Sequence, residues 1–126
     1  MAETKTLAVV YKGIKKEESL TNPETGTFYL YKFREKTGVK LHQGPFIEYF
    51  KPGYTVAEII GQSHIALSTW PEDNEATLTA EIYRGTRTYD AIRFLFKELD
   101  ADECKITETR YYNSGHRVLK RTLKRR

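Results

Sequence analysis

Residues 77–99 read Thr-Leu-Thr-Ala-Glu-Ile-Tyr-Arg-Gly-Thr-Arg-Thr-Tyr-Asp-Ala-Ile-Arg-Phe-Leu-Phe-Lys-Glu-Leu, and inside them the hydrophobic period changes. Leu78, Ala80 and Ile82 alternate with polar neighbours, so they share one face of a strand. From Thr88 the apolar positions Ala91, Ile92, Leu95, Phe96 and Leu99 fall on a single helical stripe. Asp100 to Asp102 end that helix, and Glu103 to Tyr112 predicts a last strand. A half-buried strand, a helix with one apolar stripe and another strand make an α+β unit in which helices cover one side of a sheet.

The rest of the chain extends this pattern in both directions. Thr6 to Lys12 is β-rich and apolar enough for a central strand. Asn22-Pro23-Glu24 carries an N-cap, a first-turn proline and a first-turn acid, and the helix it opens runs to Thr37 and meets Gly38. Thr25, Gly26 and Thr27 weaken its first turn. Val39 onward turns to period two, broken by Gly44-Pro45, with Phe46 to Phe50 following and Lys51-Pro52-Gly53 marking a turn. Tyr54 to Gly61 and His64 to Trp70 alternate without a clear turn between them, and Pro71 to Glu75 is a polar turn. The predicted architecture is a two-layer α/β sandwich, an antiparallel sheet with two helices on one face. Its other face is solvated or available for dimerisation.

Composition bounds the function. The chain has 126 residues with 39% hydrophobic and 30% charged side chains, the size and balance of one soluble globular domain. No apolar run reaches the roughly eighteen residues of a membrane helix. Met1 to Lys5 carries no signal-peptide core, which places the expected location in the cytoplasm. The single Cys104 excludes an internal disulfide. His42, His64 and His116 have no metal-ligand spacing, so no metal is expected. Residues 117–126 hold six Lys/Arg and no acid, which leaves residues 1–116 with 15 basic and 17 acidic groups. The organisation expected is one domain over 1–116 and a basic C-terminal tail over 117–126, acting as a solubility feature or frayed helix. Without a recognition motif beside the tail, nucleic acid is not an expected partner, and neither is a membrane.

One segment carries chemistry: Gly61-Gln62-Ser63-His64-Ile65-Ala66-Leu67-Ser68-Thr69-Trp70-Pro71-Glu72. Its Ser-His pair and the Thr-Trp-Pro-Glu that follows resemble the signature of the bacterial and archaeal S-adenosylmethionine decarboxylases. The resemblance implies self-cleavage at Gln62-Ser63, leaving chains of residues 1–62 and 63–126 and converting Ser63 to a pyruvoyl cofactor. That group accepts electrons as carbon dioxide leaves an S-adenosylmethionine-like substrate, in polyamine (spermidine) biosynthesis. It also implies that Thr55 assists cleavage, Phe50 stacks on adenine, Glu72 holds the ribose hydroxyls, and the chain dimerises. Trp70 joins the ligand contacts, and Arg84 and Arg87 stand where they can recognise a carboxylate.

Three positions depart from the family pattern. Gln62 replaces an acid. Ser68 replaces the histidine that serves as base for cleavage, and a hydroxyl does not accept a proton near neutral pH. Tyr83-Arg84-Gly85 stands where the family has Cys-Gly, which leaves the Tyr83 phenol as the substitute acid; Cys104 lies about twenty residues later. Beside an α+β module that uses its basic tail on nucleic acid, two readings of the resemblance therefore stay open. One is a processed pyruvoyl-dependent lyase. The other is an unprocessed homologue that binds a nucleoside-like ligand or pairs with an active paralogue.

Overall fold

The computed structural model describes residues 3–125. The chain runs β1 (Thr4–Lys12), α1 (Glu17–Thr21), α2 (Pro23–Thr37), β2 (Gln43–Phe50), β3 (Gly53–Ile60), β4 (Ser63–Trp70), a 3-10 turn at Pro71–Asp73, β5 (Glu75–Tyr83), α3 (Tyr89–Glu98), β6 (Glu103–Tyr112) and β7 (Gly115–Lys124). The strands form one antiparallel sheet in the order β2-β3-β4-β5-β1-β6-β7. The expected α+β sandwich is present, with α2 and α3 as its principal helices and the single-turn α1 added beside them.

Local chemistry fixes the helix boundaries. The Asn22 side chain accepts the Glu24 N–H at 3.0 Å, Pro23 occupies the first turn, and Gly38 closes α2 in the left-handed conformation at φ 81°. The helices attach to one face of the sheet. Tyr54 Oη donates to the Ser19 carbonyl at 2.6 Å, Thr69 Oγ1 to the Leu20 carbonyl at 2.7 Å and Tyr11 Oη to the Ile92 carbonyl at 3.0 Å. Leu7, Val9, Val56, Ile65, Leu67, Leu78, Ala80 and Ile82 are buried on that face against Leu30, Phe33, Ile92 and Leu95. In register on the opposite face stand Ala8, Ala57, Ala66, Thr77 and Thr79, none of them buried. No helix of the described residues covers that face.

Three segments differ from the sequence reading, the first being β2, which starts at Gln43 rather than near Val39 and carries Gly44-Pro45 inside it at a register shift. The abrupt junction at Gly61-Gln62 is a two-residue hairpin: Ile60 pairs with Ser63, and Gly61 takes φ 66° to allow it. The basic segment expected to be a tail or a frayed helix is strand β7 as far as Lys124, paired along its whole length with β6; Arg126 lies outside the described residues. Alternation explains the strand, because Val118, Lys120 and Thr122 fall on one face and Leu119, Arg121 and Leu123 on the other.

Candidate functional site

The sheet sorts the expected site residues into two groups at opposite ends of the β3–β4 hairpin. Phe50, Thr55, Ser68, Trp70 and Glu72 line one cavity of about 350 Å³, together with Gly53, Tyr54, Thr69 and Pro71. Thr55 and Ser68 are register partners, and their hydroxyl oxygens lie 2.8 Å apart. Phe50 and Trp70 keep 66% and 47% of their surface exposed, so two aromatic faces stand open at this end of the sheet. Glu72 is exposed in the 3-10 turn at the rim.

Gln62 and Ser63 occupy the other end. Gln62 is exposed in the hairpin turn and Ser63 is half-buried as the first residue of β4. Five residues of strand separate Ser63 from Ser68, roughly 16 Å at the usual rise. Tyr83 ends β5 beside this turn. It is 60% exposed and its hydroxyl lies 3.3 Å from the Glu3 carboxylate. Arg84 does not reach the Phe50–Glu72 cavity: it pairs with Glu3 at 3.2 Å, donates to the Tyr111 carbonyl at 3.0 Å, and lies 4.4 Å from the centre of the Tyr112 ring. Arg87 lies with Arg84 in a separate cavity on the helix side.

Cys104 is no surrogate for the missing thiol. It is fully buried on the helix-covered face of β6, and burial pushes its thiol up to about 12. Such a group is neither near a ligand nor ready to exchange a proton.

Sequence reasoning missed Thr69. Its hydroxyl accepts the Tyr54 N–H at 3.1 Å while donating to the Leu20 carbonyl, which ties the floor of the cavity to α1. Its position offered a signal, because Thr69 shares the inward face with Ile65 and Leu67, where a hydroxyl requires partners. Among the described residues no cluster of His, Cys, Asp or Glu is arranged to hold a metal ion. No helix of the described residues is long and apolar enough to cross a membrane.

A seven-stranded antiparallel sheet with helices on one face and an aromatic-walled cavity at the end of its central hairpin defines a known fold. The chain is similar to the crystal structure of the adenosylmethionine decarboxylase from Aquifex aeolicus VF5, with a TM-score of 0.69 at 17% identity over 98% of this chain and 91% of that one. The S-adenosylmethionine decarboxylase family model matches residues 6–111, and the chain belongs to that family. No curated protein gives a significant sequence match.

Proposed function

We propose that this family member binds an S-adenosylmethionine-like ligand in the Phe50–Glu72 cavity and remains a single, uncleaved chain. The observation that carries the reading is the Thr55–Ser68 pair. Two hydroxyls bonded to each other at 2.8 Å hold the place where cleavage needs a base, and neither takes a proton near neutral pH. The ligand half rests on the cavity's chemistry. The Phe50 and Trp70 faces suit a flat purine, and the Glu72 carboxylate accepts hydrogen bonds from vicinal hydroxyls.

The pyruvoyl group of the family does not fit the residues of one chain. The Gln62–Ser63 peptide is accessible, as cleavage requires. However, Thr55 and Ser68, which the resemblance assigns to that step, stand roughly 16 Å from Ser63 along the hairpin. A second copy across the uncovered sheet face can close that gap, since a twofold axis sets one chain's Ser63 end beside the other's Ser68 end. The small, uncharged side chains of Ala8, Ala57, Ala66, Thr77 and Thr79 suit sheet-on-sheet packing. We therefore assign a homodimer, located in the cytoplasm; a paralogue with the same face is the alternative partner.

The exposed Gln62–Ser63 turn favours the second reading, a processed pyruvoyl-dependent decarboxylase of polyamine biosynthesis. Intact mass and calorimetry separate the two. The expected result is one species near 14.7 kDa that binds S-adenosylmethionine, with affinity reduced about tenfold by Phe50→Ala. Fragments of residues 1–62 and 63–126 overturn the uncleaved state, and binding that is absent, or unaffected by Phe50→Ala, overturns the ligand site.

A further inference from the structure

We infer that the groove where the start of α3 meets β6 and β7 is a second binding site, for a small ligand carrying phosphate groups. It lies on the helix-covered side of the sheet and does not rest on the reading of the Phe50–Glu72 cavity.

Two adjoining cavities, of about 340 and 400 Å³, form the groove and share Thr88, Tyr89, Glu108 and Arg110 as common walls. Together they are lined by six cations and two carboxylates. Arg84 is already paired with Glu3, and Lys120 falls on the other face of β7 from Arg121. That leaves Lys5, Arg87, Arg110 and Arg121 against Glu108 and Asp90, a surplus of two positive charges.

The floor is a triad of one buried lysine, a half-buried glutamate and a part-exposed arginine, with one anion too few. Lys5 is 4% exposed, donates to the Thr86 carbonyl at 2.6 Å and lies 3.5 Å from Glu108. The same Glu108 accepts from Arg110 Nε at 2.5 Å. One carboxylate thus serves two cations, one of them deeply desolvated, and an incoming anion relieves the excess. Around this floor Arg87 and Arg121 have no carboxylate within ion-pair distance among the described residues. The Arg121 guanidinium lies 4.1 Å from the centre of the Tyr89 ring, which holds its donors over the cavity mouth.

Guanidinium forks beside an ammonium group match phosphate oxygens, and a surplus of two calls for a ligand with more than one negative charge. The concave shape favours a small molecule over a nucleic-acid strand. The basic run also stops short of a continuous stripe, because Arg125 is paired with Asp100 and Lys124 falls on the other side of β7 from Arg121.

Calorimetry on the full chain at low salt tests this with sodium tripolyphosphate and with ATP. We expect saturable one-to-one binding, weakened about tenfold by Arg87→Ala and by Arg121→Ala. Lys105→Glu, on the opposite face of β6, should stay within about twofold of the parent although it removes more positive charge. Circular dichroism of each variant confirms that the fold is kept. ATP binding more tightly than tripolyphosphate supports a nucleotide ligand, and equal affinities support recognition of the phosphates alone. No saturable heat overturns the site. Equal weakening by Lys105→Glu reduces it to general attraction. An oligonucleotide that tripolyphosphate cannot displace reassigns the surface to nucleic acid.

Discussion

On β5, Leu78 and Thr79 are neighbours in the chain and face different worlds. Leu78 is completely buried between the sheet and the helices, flanked on the same face by Leu67 of β4 and Val9 of β1. Thr79 is exposed on the uncovered face, flanked by Ala66 and Ala8. The difference recurs across the sheet. The helix side holds large apolar side chains and the three buried tyrosines Tyr11, Tyr29 and Tyr54. The centre of the other side holds the small side chains of Ala8, Ala57, Ala66, Thr77 and Thr79 with Thr55 and Ser68, flanked by Val10, His64 and Glu81. Stability therefore resides on one face, and the other is the face through which the proposed homodimer would form.

Substitution at Leu78 should break this arrangement most severely. Leu78→Ala leaves a cavity in the core and is expected to cost about 2–5 kcal/mol in urea unfolding. A cost below about 1 kcal/mol would mean that the helix side does not carry the fold.

Alkaline pH sharpens the same contrast, because the thiol and phenols whose ionisation burial opposes lie on the helix-covered face. Burial raises the Cys104 thiol to about 12 and raises the Tyr11 and Tyr54 phenols above their ordinary value. Each raised group binds its proton more tightly when folded. Its contribution is intact below the unfolded value, near 9 for a thiol, and is lost as pH climbs toward the folded one. Stability should be flat to about pH 9 and then decline. Native Cys104, buried and with its thiol pushed up, should resist alkylation at pH 8 until the chain unfolds. Rapid labelling of the folded protein at pH 8 would contradict its burial.

Thr79→Ala should have the smallest effect, within about 0.5 kcal/mol of the parent at low protein concentration. A larger loss that grows with protein concentration would show that this face contributes to stability through a second copy, as the homodimer requires.

Much of the fold was legible in the sequence because periodicity and capping are local. The caps of α2, the stripe of α3 and the alternation of β3 to β6 were all visible there, since each depends on residues a few positions apart. The candidate site was legible only as a set of residue types. Phe50, Thr55, Ser68, Trp70 and Glu72 do converge, whereas Ser63 and Arg84, close to them in sequence logic, do not. The basic segment was misread because its charges masked a weak alternation that pairing with β6 makes regular.

Gly26 shows why propensity alone fell short. It weakens the first turn of α2 by its conformational freedom, yet a Cβ there would overlap the Tyr54 ring, whose hydroxyl is pinned to Ser19. That requirement comes from a residue 28 positions away in the chain. The sequence by itself determined which segments are helices or strands, which face of each is apolar, and which family signature the chain carries. Only the tertiary structure decided that the two halves of the signature stand at opposite ends of a hairpin, that Cys104 is sealed in the core, and that scattered cations share one groove. Strand order and register set those distances, and they depend on contacts between residues far apart in the chain, which local pattern does not encode.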